Sequence, residues 1–240
     1  MERTHTAVVT GVGSGLGASL VRKLVKEGYR VGMFARSSEY IRSLEQELNC
    51  KETAAIGIPT DISVPSQVQR GFLQVREQFG PIDLLINHAG NAAWKEFMTL
   101  TPEDFEQAWR VCTYGSFLCT QEAVTDMMKL QRGTILFSGA TSSIRGRKGG
   151  LAFSSAKFAV RGFAESLARE LWPHHIHVAH IIIDGGIDTP HLREQELPTS
   201  TEPLLNPDEM AESYWSLVQQ PRNAWSFELD LRPFNEDFFT

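Results

Sequence analysis

The sequence predicts an α/β fold: a doubly wound parallel sheet of about seven strands with helices on both faces. Three observations predict it. Short apolar runs alternate with helix-length amphipathic segments along the whole chain, the pattern of strand–helix–strand units. The runs Ile82-Asp83-Leu84-Leu85-Ile86 and Val178-Ala179-His180-Ile181-Ile182-Ile183 are nearly continuous in apolar residues, as parallel strands covered on both sides are. A glycine-rich turn joins the first run to the first amphipathic segment.

The strands are expected at 6–10, 30–35, 54–58, 82–86, 133–138, 176–183 and 225–231. The first, Thr6-Ala7-Val8-Val9-Thr10, starts almost at Met1, so the domain is expected to begin with the chain. Helices are expected near 15–27, 38–48, 64–78, 102–130, 151–171 and 207–219. The first ends at Val25-Lys26-Glu27-Gly28, where a glycine can close it. Thr101-Pro102-Glu103-Asp104 reads as a cap, a first-turn proline and acids at the positive helix end. Asn206-Pro207-Asp208-Glu209 repeats the arrangement. Residues 187–206 break the rhythm with Pro190, Pro198 and Pro203, and read as a long loop, a lid over a site. With no repeat and no Gly/Ser linker, 1–240 reads as one domain.

Composition narrows the function. The chain has 240 residues, with 23 Lys+Arg against 29 Asp+Glu and a net charge of −6. That excess argues against a general nucleic-acid binder, and Arg145, Arg147 and Lys148 form its one basic cluster. Cys50, Cys112 and Cys119 make no CxxC pair, so neither a disulfide framework nor a cysteine zinc site is expected. Reduced thiols in the cytoplasm are the expectation. No apolar run has the length of a membrane span or the form of a signal peptide.

Thr10-Gly11-Val12-Gly13-Ser14-Gly15-Leu16-Gly17 follows the first strand and opens the first helix. Glycines there let a pyrophosphate approach the backbone and the helix N-terminus. The second strand ends Met33-Phe34-Ala35-Arg36-Ser37. An acid at this place would accept from a ribose 2′-hydroxyl, whereas an arginine suits a 2′-phosphate. NADP(H) is therefore expected over NAD.

Gly11, Gly15 and Gly17 resemble the TGxxxGxG motif of the short-chain dehydrogenase/reductase family. Asn87-His88-Ala89-Gly90 resembles its NNAG motif, with His at the second position. Asp61-Ile62 is similar to its adenine-contacting pair. Asp188-Thr189-Pro190 resembles its segment flanking the nicotinamide carboxamide, which places Ile187 and Thr189 at the cofactor. The match runs in order along nearly the whole chain. It implies a Rossmann-type sheet in the order 3-2-1-4-5-6-7 and assembly as a homodimer or homotetramer. It also implies cofactor contacts from Ser14, Leu16, Arg36, Ser37, Asn87, Ala89, Gly90 and Lys157.

The family's chemistry uses Asn, Ser, Tyr and Lys: a Tyr hydroxyl moves the proton, a Lys tunes it and binds the ribose, a Ser polarises the substrate oxygen, and an Asn holds a water. In this sequence the YxxxK position reads Phe153-Ser154-Ser155-Ala156-Lys157. The serine position falls on Ala140 and the asparagine position on Cys112. Lys157 alone remains of the four. The family's Pro-Gly after the sixth strand reads Asp184-Gly185-Gly186. Loss of a positioned acid/base typically costs about 10²–10⁴ in rate. Ordinary carbonyl–alcohol activity is thus expected to be weak or absent, in an otherwise oxidoreductase-like protein of unknown small-molecule substrate. The alternative is a non-catalytic NADP(H)-binding pseudoenzyme acting as a sensor or assembly partner.

Candidate replacement acids are Ser154, Ser155, Tyr114, His88 and Asp184, the last if burial raises its pKa. His174, His175, His177 and His180 cluster around the sixth strand but alternate in direction and lack an acid at a ligand spacing, so no metal site is expected. Trp94, Phe97 and Met98 read as core rather than as a substrate pocket. The acids and arginine of Ser226–Pro233 are candidates for pairing across a subunit interface, and Phe234, Phe238 and Phe239 form an aromatic tail.

Overall fold

Parallel pairing organises the chain from its first strand. In a computed structural model, residues 5–50, 52–92, 94–195 and 203–235 are described. Strands β1 (His5–Thr10), β2 (Tyr29–Ala35), β3 (Ala55–Pro59), β4 (Leu84–Asn87), β5 (Gly133–Ser138), β6 (Ile176–Ile183) and β7 (Glu228–Leu231) form one sheet. Its order is β3-β2-β1-β4-β5-β6-β7 with every neighbouring pair parallel. This is the expected Rossmann-type order. It reverses direction between β1 and β4, and ligands of such sheets bind at that crevice.

Alternate residues of each strand feed two separate cores. Ala7 and Val9 of β1 pack with α1 (Leu16–Lys26), α2 (Ser38–Leu48) and α8 (Pro207–Val218), through Leu20, Leu44 and Tyr214 among others. Val8 points the other way, to α3 (Pro65–Phe79), α5 (Gly115–Leu130) and α6 (Leu151–Leu171), through Phe72, Met127 and Val160. A clasp closes the first side. Ser19 of α1 donates to Asp208 of α8 at 2.6 Å, and Lys23 pairs with Glu212 at 2.6 Å.

The caps form as read. Thr101 and Asp104 make a reciprocal capping box at α4 (Pro102–Trp109), and Asn206 accepts the amides of Asp208 and Glu209. The strand expected at 82–86 runs Leu84–Asn87, and three boundaries differ more. The helix expected at 102–130 is interrupted by a π-helical turn, Arg110–Tyr114, which inserts a residue and rotates the later faces. The last strand starts at Glu228, because Trp225 instead stacks on His177 at 4.9 Å and Ser226 is held by Gln220. Within 187–206, Gly186–Ile187 pairs with Leu204–Leu205 and α7 spans Pro190–Gln195. Residues 196–202, with Pro198, and residues 236–240, with Phe238 and Phe239, lie outside the described residues.

Candidate active site

The glycine loop is shaped by what it touches. Gly11 has a φ of +75°, and the amides of Gly11 and Val12 both donate to the Phe34 carbonyl, at 2.8 and 3.1 Å. A Cβ on Gly11 would lie 2.5 Å from the Ala89 Cα, and one on Gly15 would lie 2.5 Å from the Thr189 Cγ2. Gly17 leaves no more room, since its Cβ would sit 2.9 Å from the Gly11 carbonyl oxygen. Gly13 faces open space and Ser14 is exposed, whereas the Leu16 side chain is buried in the core. Thr10 ties this loop to the next strand by accepting the amides of His88 and Ala89 at 3.1 and 3.2 Å. The loop, the 87–90 segment and Thr189 therefore meet at one end of the sheet.

Arg36 and Ser37 stand exposed between β2 and α2. Arg36 has no hydrogen bond or ion pair among the described residues, and the Ser37 side chain makes no capping bond to α2. Asp61 accepts from the Ser63 amide and hydroxyl at 2.9 and 2.7 Å, which orients the carboxylate. Ile62 is buried against Gly115. Asn87 is buried; its amide donates to Thr120 at 3.2 Å, while its Oδ1 has no partner. Ile187 is half-buried, and Thr189 accepts the Leu192 amide at 3.1 Å.

Lys157 is buried and donates to the Ser138 carbonyl at 2.7 Å. Its ammonium lies 5.5 Å from the centre of the Phe153 ring. Burial pushes the Lys157 pKa down, and the neighbouring Cys112 thiol partly opposes this. Cys112 is itself buried on the π-helical turn. Ala140 is half-buried and extended, with its amide donating to Ser143 at 3.1 Å. Phe153 and Cys112 thus both lie beside Lys157, and Ala140 follows two residues after its Ser138 partner.

The candidate substitutes separate. Asp184 is buried but accepts from the Thr141 hydroxyl and pairs with Arg145 at 2.8 Å and Arg232 at 2.6 Å. With both oxygens engaged by donors, it is held as an acceptor, not as a proton donor. Within the chain Arg232 pairs with Asp184, and Glu228 with Arg161 at 2.6 Å. Tyr114 stacks between Trp109 and Phe117, at 6.2 and 6.4 Å, in an aromatic row. Ser155 bonds its own helix at Ala152, and Ser154 is buried with an unpartnered hydroxyl. His88 remains beside the site. Its Nδ1 lies 3.0 Å from the Ser138 hydroxyl, which lies 2.7 Å from the Tyr214 hydroxyl. Tyr214 was not legible from the sequence; it arrives from α8, 76 residues after Ser138.

Trp94, Phe97 and Met98 are 53, 72 and 90% exposed, which overturns the core reading. The Trp94 ring covers Gly150, whose Cβ would lie 2.7 Å from it, and sits 6.0 Å from Phe153. Phe234 is fully exposed. The four histidines disperse: His177 Nε2 donates to the Ser226 carbonyl at 2.8 Å, and His180 faces Glu228 at 3.2 Å, an acid partner the spacing did not reveal. Among the described residues no helix is long and apolar enough to cross a membrane.

Comparison with known proteins gives the same family. The model of the family described as short chain dehydrogenase matches residues 5–199. The 3alpha-hydroxysteroid dehydrogenase of Mediterraneibacter gnavus is 33% identical over 173 residues, 71% of this chain and 69% of the relative. A short-chain dehydrogenase from Rhodopseudomonas palustris superposes with a TM-score of 0.82 at 31% identity, over 97% of this chain and 100% of that one. A metagenomic short-chain oxidoreductase, solved in complex with NADP, gives a TM-score of 0.83 at 25% identity, over 97% and 98% of the two chains.

Proposed function

Because the chain belongs to the short-chain dehydrogenase family, we propose that it binds NADP(H) and carries out ordinary carbonyl–alcohol redox chemistry weakly or not at all. The observation that carries this reading is the surroundings of Lys157. Its ammonium faces the ring of Phe153, where the family has a hydroxyl, and its one hydrogen bond goes to a backbone carbonyl. Phe153 has no proton to transfer, and Ala140 has none to lend to a substrate oxygen.

The binding half rests on groups that fit the dinucleotide. Gly11, Gly15 and Gly17 keep the loop free of side chains, while Ser14 and the backbone of Leu16 border it. Arg36 and Ser37 offer an unpartnered guanidinium and hydroxyl to a 2′-phosphate at the N-terminus of α2. Asp61 and Ile62 would flank the adenine. Asn87, Ala89, Gly90 and Lys157 would hold the nicotinamide-side ribose, with Ile187 and Thr189 at the carboxamide. When bound, the nicotinamide supplies or accepts a hydride. The chain's residues bind and orient it but present no tuned acid at the tetrad.

A second reading, a non-catalytic sensor or assembly partner, is favoured by the exposed apolar row. Phe105 and Trp109 of α4, Phe117 of α5, and Leu151 and Phe158 of α6 are all exposed. A homodimer or homotetramer would cover them, as an unshielded patch of this kind marks an interface. Reduced buried thiols at Cys112 and Cys119 agree with a cytoplasmic, single-domain protein.

Calorimetric titration with NADPH, NADP⁺, NADH and NAD⁺ tests the reading. The NADP forms are expected to bind tighter. Arg36→Ala should weaken NADPH by about ten- to a hundredfold, the value of losing a charge-assisted bond, and leave NADH nearly unchanged. Turnover against a panel of carbonyls should appear only after Phe153→Tyr, Ala140→Ser and Cys112→Asn together. Robust turnover by the unaltered protein would overturn the catalytic half.

A further inference from the structure

A buried chain of hydroxyls ends at His88. Tyr214 and Ser138 are both buried, and the Tyr214 hydroxyl has Ser138 as its hydrogen-bond partner. A buried O–H left without an acceptor costs about 1–3 kcal/mol, so the protons must run in the direction that satisfies them all. Tyr214 donates to Ser138 Oγ. Ser138, having accepted there, donates to His88 Nδ1 at 3.0 Å. In the opposite direction the buried Tyr214 proton would have no acceptor among the described residues. With Nδ1 accepting, the neutral imidazole carries its proton on Nε2.

Ser138 also fixes where that proton is offered. Its carbonyl accepts from Lys157 and its hydroxyl holds His88, so both side chains converge on one residue at the end of β5. The His88 amide is tied to Thr10 beneath the glycine loop. A Cβ on Gly90, two residues on, would lie 3.9 Å from the Lys157 ammonium. Among the described residues His88 Nε2 has no hydrogen-bond partner, and the residue is half-buried. The residue sits where the glycine loop meets Lys157: its amide is tied to Thr10, and its ring feels the Lys157 charge.

We infer that His88 is a binding residue for the dinucleotide: a neutral Nε2–H donor to the nicotinamide-side ribose next to Lys157, held in that tautomer by the Tyr214–Ser138 chain. The inference rests on the proposed NADP(H) binding and adds to it a residue that the tetrad does not contain. It accounts for a histidine, rather than an amide, in Asn87-His88-Ala89-Gly90. It also gives the site a ribose contact that Phe153 cannot make.

Two measurements on the purified full chain test it. The first is a long-range nitrogen–proton NMR correlation of the histidine-labelled protein without nucleotide, with the His88 signal assigned from His88→Gln. The Nε2–H tautomer is expected, and Tyr214→Phe should release it to a mixture. An Nδ1–H tautomer in the unaltered protein would overturn the inference. The second is NADPH titration of His88→Ala and His88→Gln, since glutamine places an amide N–H near the Nε2 position. Alanine should weaken binding roughly tenfold, and glutamine should recover most of it. Unchanged affinity in folded His88→Ala overturns the ribose contact while leaving nucleotide binding intact. Absence of any dinucleotide binding by the unaltered protein overturns the wider reading and the contact with it, and the tautomer still judges the hydroxyl chain.

Discussion

At the scale of single residues, His88 and His180 are neutral bases inside the fold. Burial, helped by the nearby Lys157 ammonium, lowers the His88 pKa from 6.5 to about 4. Burial also lowers His180, against the pull of Glu228. Between about pH 6.5 and pH 4 the unfolded chain binds protons at His88 that the folded chain refuses. Stability is therefore fully present above pH 6.5 and is lost as pH falls through that window. The urea midpoint should drop from pH 7 to pH 5, and His88→Gln should flatten the dependence; an unchanged slope would contradict the assignment. Gly15→Ala is a second residue-scale test. Its Cβ would meet the Thr189 methyl at 2.5 Å, and relief requires Thr189 to turn away, at the expense of its bond to the Leu192 amide. Stability should fall by about 1–3 kcal/mol, with nucleotide affinity falling alongside. The reading of Ala140, Phe153 and Lys157 as tetrad positions rests on fixed spacings from the end of β5 into α6. Tyr214 was not readable, because nothing local relates α8 to β5. The engagement of Asp184 depends likewise on Arg145 and Arg232, 39 and 48 residues away along the chain and joined to it only by folding.

At the scale of elements, punctuation was more legible than phase. The caps at Thr101 and Asn206 are local, set within four residues, and both form. Thr101→Ala should cost about 1 kcal/mol, read as a lowered thermal midpoint without loss of nucleotide binding. The π-helical turn at 110–114 left no such mark. Apolar residues continue through it, and a single inserted residue alters direction without altering composition. That rotation places Cys112 near Lys157 and turns Tyr114 into the aromatic row. The misread core residues Trp94, Phe97 and Met98 have a related cause: their segment is anchored by backbone, with the Lys95 amide donating to the Gly149 carbonyl at 2.8 Å. Their side chains are therefore free to face outward.

At the scale of the molecule, alternation of strand and helix made the parallel sheet legible, and the family motifs supplied its order. The assembly was less so, because exposed apolar side chains on α4, α5 and α6 interleave with polar ones in sequence. Trp109→Glu with Phe158→Glu should reduce the sedimentation mass to that of one chain if those faces pair, while a mass unaffected by the changes would place the contact elsewhere. The clasp between α1 and α8 has a different consequence, in the order of biosynthesis. Ser19 and Asp208 are 189 residues apart, so the helix that carries the glycine loop is synthesised early but waits for its packing partner. While the chain is still on the ribosome, α1 has an apolar side with no α8 to cover it, and His88 has no Tyr214 behind it. That apolar side is expected to stay uncovered until translation is nearly finished. A stop codon placed just before α8 would leave a product fit for degradation rather than a smaller working domain.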